Sequence, residues 1–203
     1  MATDSNYPVS VEGQLDIELG RWLWLVKWFL IIPHLIVLVF LWVAFVVSTM
    51  IAWFAILFTG RYPRGIFDFN VGVLRWSWRV GYYSYNALAT DRYPPFSLSD
   101  RDYPANLEVE YPERLSRGLA LIQWWLLAFP HYLVVGLLQG GGGVRGVGLV
   151  TLLALYGAVG LLFTGQYPRD IFELVLGFNR WTIRVVAYAA LMTDEYPPFR
   201  LSP

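Results

Sequence analysis

The sequence contains no cysteine among its 203 residues and only two histidines. The lack of cysteine excludes disulfides, thiolate metal sites, thiol nucleophiles and lipidated cysteine. Charged residues are also scarce, at 15% against a usual value of about 25%. The 15 basic and 15 acidic side chains cancel, and no basic cluster or nucleic-acid motif is present, so we expect no nucleic-acid partner.

Two long apolar runs dominate the composition, in which 57% of the residues are hydrophobic. Lys27 is the only charged residue between positions 22 and 58, and Arg145 is the only one between positions 118 and 163. Runs of about 18 or more apolar residues are typical of membrane-spanning segments. The sequence therefore predicts an integral membrane protein.

The first 20 residues contain four acidic side chains and neither lysine nor arginine. A secretory signal peptide begins with a basic region, so we expect none here. Aromatic residues are abundant, with ten tryptophans and thirteen tyrosines. Both residue types favour the membrane–water interface, where the ring is half buried and its polar tip is wet.

The chain is a tandem duplication. Residues 58–67 and 163–172 share the pattern Phe-Thr-Gly-x-Tyr-Pro-Arg-x-Ile-Phe. The other repeated motifs are Pro33-His34 and Pro130-His131, Arg75-Trp76 and Arg180-Trp181, and Thr90–Phe96 and Thr193–Phe199. Self-similarity at a fixed period is typical of repeat architectures. We predict two membrane repeats, at residues 1–100 and 101–203.

The spacing of the motifs locates an insertion in the second copy. The Pro-His motif recurs after 97 residues, whereas the Phe-Thr-Gly motif recurs after 105. The extra eight residues coincide with the glycine-rich segment 139–146, which is a flexible loop by composition. This loop divides the second apolar run into residues 119–138 and 147–163, and each part is about long enough to cross a bilayer.

This division predicts a helical hairpin in each repeat, with the turn of copy one near residues 46–49. The alternative is one long helix from about His34 to Thr59, preceded by a short interfacial helix ending at Pro33. Arg21 and Lys27 precede the first apolar run, and residues 61–64 add two arginines after it. A hairpin places all four charges on one side of the membrane, as the positive-inside rule favours.

An amphipathic helix is predicted after each Tyr-Pro-Arg motif. In residues 66–88, one helical face carries Asp68, Gly72, Arg75, Arg79 and Asn86. The second copy repeats this face with Glu173, Gly177, Arg180 and Arg184. Such a helix is suited to lying in the membrane interface. The predicted fold is an all-α membrane protein of two tandem repeats, each a hydrophobic helical hairpin plus an amphipathic interfacial helix.

The acidic residue and two arginines on each of these helices form a candidate site for lipid phosphates or another anion. Its members are Asp68, Arg75 and Arg79 in copy one, and Glu173, Arg180 and Arg184 in copy two. Arginine grips phosphate with a planar fork of donors. The alternative is a solvated polar face with internal ion pairs.

The two histidines, His34 and His131, occupy equivalent positions in apolar surroundings and form a second candidate site. A pair of imidazoles could bind a ligand, carry a proton, or hold haem iron or a metal. The alternative is structural, with each imidazole bonded to a carbonyl that the preceding proline leaves unpaired. We predict no metal or cofactor on balance. Weak alternation at residues 9–19 and 107–111 also suggests two short strands that pair across the repeats.

The motifs together resemble a bacterial membrane-protein family, domain of unknown function 4389. The resemblance covers roughly residues 7–98 and 103–201 and implies membrane residence, without a reaction, substrate or cofactor. Lys27 and Arg61 of the first copy are replaced by Gln123 and Gln166 in the second. The first copy therefore matches the family pattern more closely than the second.

The sequence shows no Ser-His-Asp order, no His-Glu-x-x-His motif and no carboxylate within the apolar runs. We therefore expect a non-enzymatic membrane scaffold or accessory subunit that spans the bacterial inner membrane four times, with both termini in the cytoplasm. Its expected partners are membrane lipids, other membrane proteins or a second copy. The alternatives are a small transporter or channel with a pathway between the repeats, and a haem- or ligand-binding module built on the histidines.

Overall fold

A computed structural model describes residues 7–140 and 147–202, which are mostly helical. Repeat one contains β1 (Val9–Gly13), α1 (Trp24–Leu30), α2 (Ile32–Thr59) and α3 (Arg64–Tyr83). Repeat two contains β2 (Ala105–Val109), α4 (Arg117–Ile122), a π-helical segment (Gln123–Leu127), α5 (Phe129–Gln139), α6 (Leu149–Thr164) and α7 (Arg169–Ala189). The predicted helical fold is confirmed, with two short strands added to it.

The hairpin predicted for copy one is wrong, because α2 is one continuous helix of 28 residues. The proposed turn at residues 46–49 contains neither glycine nor proline and lies wholly within this helix. The break falls instead at Ile31, where α1 ends and Pro33 occupies the first turn of α2. A proline is tolerated there, since the first-turn amides have no partner in the helix.

The polypeptide does reverse direction, but between α2 and α3. Gly60 ends α2 with a φ of 71°, and the extended Pro63 precedes α3. Glycine adopts this left-handed conformation without the cost that a Cβ atom would impose. The Ser48 hydroxyl in α2 donates to the Asn70 side chain in α3 (2.7 Å), so the two helices run antiparallel. The Phe-Thr-Gly-x-Tyr-Pro-Arg motif therefore forms the turn of the repeat.

In repeat two, α5 and α6 together occupy the position that α2 has in repeat one. Gln139 at the end of α5 bonds Thr182 of α7 (3.2 Å), as Trp42 of α2 bonds Ser77 of α3 (3.1 Å). Gly148, just before α6, lies so close to the end of α5 that a Cβ atom would be 2.4 Å from the Gln139 carbonyl carbon. The second repeat thus has an interrupted long helix where a hairpin was predicted. Of the predicted glycine loop, residues 141–146 lie outside the described part of the chain.

The π-helical segment adjusts the register between the two copies. Gln123 follows Lys27 by 96 residues, whereas Pro130 follows Pro33 by 97, so copy two has one extra residue between these points. A π-helical turn absorbs one additional residue within a continuous helix. The insertion at residues 123–127 therefore leaves the Pro-His motifs in equivalent places.

The helices α3 and α7 form a middle layer between two unlike neighbours. Arg75 donates to the Leu107 carbonyl in β2 (3.0 Å), while Ser77 accepts from Trp42 in α2 (3.1 Å). Two residues along a helix correspond to a rotation of about 200°, so these contacts lie on opposite faces. In α7, Arg180 bonds β1 and Thr182 bonds α5 in the same way. The molecule therefore has three layers, with long apolar helices on one side and a small sheet on the other.

The predicted pairing of two short strands across the repeats is confirmed. The strands are antiparallel, and Val11 lies opposite Leu107 at their centre. The inward residues of both strands are buried, whereas Ser10, Glu12 and Glu108 are exposed. β2 packs mainly on α3 of the other repeat, and β1 packs on α7. The repeats therefore exchange their strands and interlock across one core.

The amphipathic helices α3 and α7 are largely covered by other parts of the chain, so the alternative of a solvated polar stripe does not hold for their arginines. Twelve of the 20 residues of α3 are buried. α7 is similarly covered, because each helix packs between two other layers. Asn86, which was assigned to the stripe, lies beyond the end of α3. The polar faces are thus internal contacts with the strands and loops.

A wide apolar surface remains exposed on the outer helices. Only 17% of the most apolar part of α2 is buried. Among the described residues, α2 is the one helix long and apolar enough to cross a membrane, and a second span results if α4 to α5, bent by 45°, counts as one. The predicted four crossings therefore find no counterpart in the described helices.

Substituting Val47 with proline tests the continuity of α2. Val47 is half exposed and lies at the turn predicted from the sequence. A proline in a helix interior costs about 3 kcal/mol or more, so we expect a large loss of stability in detergent, measured by thermal unfolding. Val47→Ala, which keeps the helix, is the control and should change stability by less than about 1.5 kcal/mol. A proline tolerated as well as the alanine would favour the hairpin.

Candidate functional site

Three repeated motifs meet around the first histidine. His34 in α2 is fully buried and accepts a hydrogen bond at Nδ1 from the Trp76 indole N–H of α3 (3.0 Å). The ring of Phe96 stacks on the imidazole with a centroid distance of 3.9 Å, and Tyr93 lies at 4.9 Å. We call His34, Trp76, Tyr93 and Phe96 the His34 cage. The repeated Tyr-Pro-Pro-Phe motif supplies two of its walls, Tyr93 and Phe96.

The second copy builds the same arrangement, which we call the His131 cage. His131 is fully buried, and its Nδ1 accepts from the Trp181 indole N–H (3.1 Å). Phe199 stacks on the imidazole at 4.4 Å and Tyr196 lies at 4.8 Å. The structural interpretation of the histidines expected a carbonyl that the preceding proline leaves unpaired, whereas Nδ1 of each imidazole accepts from a tryptophan. Near Pro33, the Leu30 carbonyl accepts from the Tyr93 hydroxyl (3.0 Å).

The tryptophan contact defines the chemical state of each imidazole. An indole N–H only donates, so Nδ1 has to offer a lone pair and the proton of the neutral ring resides on Nε2. Nε2 of His131 has no hydrogen-bond partner among the described residues, whereas the Pro94 carbonyl faces the His34 imidazole as an acceptor. Coordination of iron through Nε2 would move the proton to Nδ1, where it would meet the indole N–H. The cages therefore do not fit a haem ligand in their present form.

The arginines of α3 bind backbone carbonyls. Arg75 donates to Leu107 of β2 (3.0 Å) and Leu98 (3.5 Å). Arg79 donates to Ser97 (3.3 Å) and Ser99 (2.6 Å) and is fully buried. Burial lowers the pKa of the Arg79 guanidinium from its ordinary value. These side chains fasten the segment after the Tyr-Pro-Pro-Phe motif to the middle layer.

The arginines of α7 repeat this role. Arg180 donates to the Val11 carbonyl of β1 (2.9 Å), and Arg184 donates to the Ser202 carbonyl (3.1 Å). The Arg184 guanidinium also lies over the Tyr7 ring at 5.6 Å. Burial lowers its pKa from the ordinary value. Each of the four arginines proposed for a phosphate thus donates to a backbone carbonyl of the chain, although the Nε of Arg184 has no partner among the described residues.

The two acidic residues of the candidate anion site form no salt bridge with these arginines among the described residues. Asp68 pairs with Arg64 at 3.2 Å, and both side chains are more than half exposed. Glu173 is exposed on α7. A polar cleft beside Asp68 and Arg75 is also lined by Asp100 and Glu108. Its acidic residues make it unsuited to an anion, so the structure does not assemble the predicted site.

The sequence did not predict a buried ion pair at the first helix of repeat one. Lys27 is 1% exposed, donates to the Thr90 carbonyl (2.7 Å) and contacts the Asp91 carboxylate (2.9 Å). Burial lowers the pKa of Lys27, and Asp91 opposes this shift. The two signals were a lone lysine in an apolar run and the repeated Thr-Asp pair. A buried charge has to be paired, and Asp91 is the partner.

In the second copy, the uncharged side chain of Gln123 occupies the position of Lys27. The Gln123 amide donates to the Tyr188 and Thr193 carbonyls, both at 2.7 Å. Asp194, the equivalent of Asp91, accepts from the Ser116 amide (2.6 Å) at the start of α4. Each repeat thus ties its final motif to its first helix, by a lysine in one copy and a glutamine in the other.

An apolar cleft of about 490 Å³ lies between the repeats. Its walls come from α2, the π-helical segment, α5 and α7, and they include Trp53, Trp124 and Tyr132. Across the described residues, no group of three histidine, aspartate or glutamate side chains is placed to hold a metal ion. The described structure therefore offers two closed aromatic cages and one open apolar cleft.

The family model for a domain of unknown function, DUF4389, matches residues 21–97 and 119–200. These two matches cover most of the chain, and the chain belongs to this family as two tandem copies. Each match begins near the first helix of a repeat and ends at the Tyr-Pro-Pro-Phe motif that closes the cage. No curated protein and no solved structure matches the chain.

The tryptophan–histidine hydrogen bond can be tested by a double-mutant cycle. His34→Phe leaves the buried indole N–H without an acceptor, which costs about 1–3 kcal/mol. Adding Trp76→Phe removes that unpaired donor, so the double variant should lose less than the sum of the single losses. The measurement is the free energy of unfolding in detergent. His131→Phe with Trp181→Phe is the matched pair in repeat two, and strictly additive losses in both would contradict the bond.

The two roles considered for the arginines make opposite predictions. Arg79→Ala leaves two carbonyls unpaired, so we expect a loss of about 2–3 kcal/mol of stability and no change in binding to anionic vesicles. Arg64→Ala is the control, because a surface pair contributes at most about 1 kcal/mol. Stability is followed by thermal unfolding and binding by vesicle sedimentation. An Arg79→Ala variant that keeps its stability but loses vesicle binding would restore the headgroup site.

Proposed function

We propose that this member of the DUF4389 family is a non-enzymatic membrane scaffold or accessory subunit, held in the bilayer by the apolar surface of its outer helices. The observation that carries this proposal is the size and position of that surface. Soluble monomers rarely expose contiguous apolar patches larger than a few hundred Å². The side chains at least 50% exposed on α2 alone are Ile36, Val39, Phe40, Val43, Val46, Val47, Met50, Ile51, Phe54 and Phe58.

The use of the polar residues supports the same proposal. The repeated histidines, arginines and the Lys27–Asp91 pair all make contacts that join one segment of the chain to another. The histidine and arginine contacts recur in both copies, as expected for a framework, and Gln123 replaces Lys27 in the second copy. The outward face of the sheet, with Ser10, Glu12 and Glu108, is the polar surface available to a partner. That partner would be another membrane protein or a second copy.

We place the protein in the bacterial inner membrane, with both termini on the cytoplasmic side. The arginines that flank α2 support this side, because cytoplasmic segments carry an excess of basic residues. By length and composition, only α2 and the bent α4–α5 pair among the described helices are candidates to span a membrane.

The alternative of a small transporter or channel draws support from the cleft between the repeats. The cleft is lined almost wholly by apolar side chains from α2, α5 and α7. Such a lining favours a lipid chain over an ion, since an ion there would lose its hydration without compensation. The haem- or ligand-binding alternative has weaker support, because both histidine Nδ1 atoms already accept a hydrogen bond.

Reconstitution into liposomes tests the proposal against its alternative. We expect the protein to float with liposomes in a density gradient and to add no ion or solute flux to that of protein-free vesicles. Phe40→Glu with Phe54→Glu should weaken flotation, because a charge on the apolar face is costly to insert. Ser10→Glu on the sheet is the matched control and should float normally. Robust flux would contradict the scaffold and favour the transporter.

A further inference from the structure

We infer that the outer helices α2, α5 and α6 lie parallel to the membrane plane within a single leaflet, with the sheet facing water on the same side. This inference rests on the proposed membrane attachment and specifies its geometry. It concerns the apolar layer, which we define as the exposed surface of α2, α5 and α6. Its occupant is one half of a lipid bilayer.

The first step is the order of the layers. The contacts of Arg75 with β2 and of Ser77 with α2 place the sheet and the apolar layer on opposite faces of α3. Arg180 and Thr182 place them on opposite faces of α7. The apolar layer and the sheet are therefore the two outer surfaces of the molecule, with the middle layer between them.

The second step is the position of the sheet along the axis of α2. Ser77, next to the sheet contact of Arg75, bonds Trp42, which is in the middle third of the 28-residue helix. The sheet thus lies beside the centre of α2 and not beyond either end. Its outward face carries the exposed Glu12 and Glu108, neither of which has an ion-pair partner among the described residues.

The third step compares the two orientations of α2. If α2 crossed the bilayer, Glu12 and Glu108 would lie near the depth of its hydrocarbon centre, where unpaired carboxylates are strongly disfavoured. If α2 lies in the plane, the apolar layer meets lipid tails and the carboxylates stay in water. Interfacial helices bury an apolar face about 5–10 Å deep in this way. Only the in-plane orientation places the apolar layer in lipid and the carboxylates of the sheet in water at the same time.

Tryptophans at the apolar layer agree with this orientation. Trp22 and Trp28 precede α2, and Trp124 and Trp125 precede α5, with Trp124 at the position that Trp28 has in repeat one. All four are about half exposed or more. Exposed tryptophan favours the boundary between lipid and water. Their pseudo-symmetric placement gives the layer two such anchors, one for each repeat.

Single cysteines can decide the orientation, because the natural chain contains none. Ile36, Val47 and Phe58 are spaced by 11 residues, point in nearly the same direction from α2 and are all exposed. Each is replaced by cysteine, labelled with a fluorophore and reconstituted in phosphatidylcholine–phosphatidylglycerol vesicles. Lipids brominated at different depths then report the depth of each label. Three similar depths support the in-plane orientation, whereas a shallow–deep–shallow profile overturns it.

The second measurement is the side of the membrane from which single cysteines can be labelled. It separates the in-plane orientation from the proposed membrane attachment. Arg61→Cys lies just after α2. Asp102→Cys lies on the side of its start, because Asp102 contacts Arg92, and the hydroxyl of the adjacent Tyr93 donates to the Leu30 carbonyl just before α2. Both should react with an impermeant maleimide from the same side of sealed vesicles, as should Ser10→Cys on the sheet. Reaction of the two end positions from opposite sides would overturn the in-plane orientation and leave membrane attachment standing. Failure of the unlabelled wild-type chain to float with vesicles would instead overturn the proposed function itself.

Discussion

The middle layer of α3 and α7 is the constraint on which the structure depends, since each helix has to satisfy two unlike neighbours. One face receives the apolar helices, through contacts such as Trp76 with His34. The other face binds carbonyls of strands and loops through arginines, as Arg75 does with Leu107. Because the two faces are about half a turn apart, an apolar surface and a polar surface necessarily form on opposite sides of the molecule. The cages and the paired strands are consequences of this division.

Duplication, helical content and the pairing of the strands could be predicted from the sequence, because motif spacing and alternation are local signals. The hairpin was wrongly predicted, since the glycine insertion of copy two was transferred to Val46–Thr49 of copy one, where nothing breaks the helix. The arginine stripe was correctly placed on one helical face, yet its partners are carbonyls distant in sequence. The sequence shows a histidine and a tryptophan 42 residues apart, but only the fold shows that they meet.

An in-plane α2 also accounts for the observation that first favoured a hairpin. Basic residues flank the apolar run on both sides, at Arg21 and at Arg61, and a hairpin would bring them to one membrane face. A helix lying in one leaflet does the same without a turn. The copies differ at one buried position, which is Lys27 in the first and Gln123 in the second. Each side chain donates to backbone carbonyls there, so the difference does not alter the layers. The exposed sheet remains available to partners in water.

Polarised infrared spectroscopy of the protein in aligned bilayers tests the central claim most directly. The amide I transition lies close to the helix axis, so its dichroism reports the mean tilt of the helices from the membrane normal. The helices α2, α3, α5, α6 and α7 contain most of the helical residues. The layered structure predicts that α2, α3 and α7 lie close to the membrane plane. Dichroism that places the mean helix axis near the bilayer normal would contradict the single-leaflet orientation.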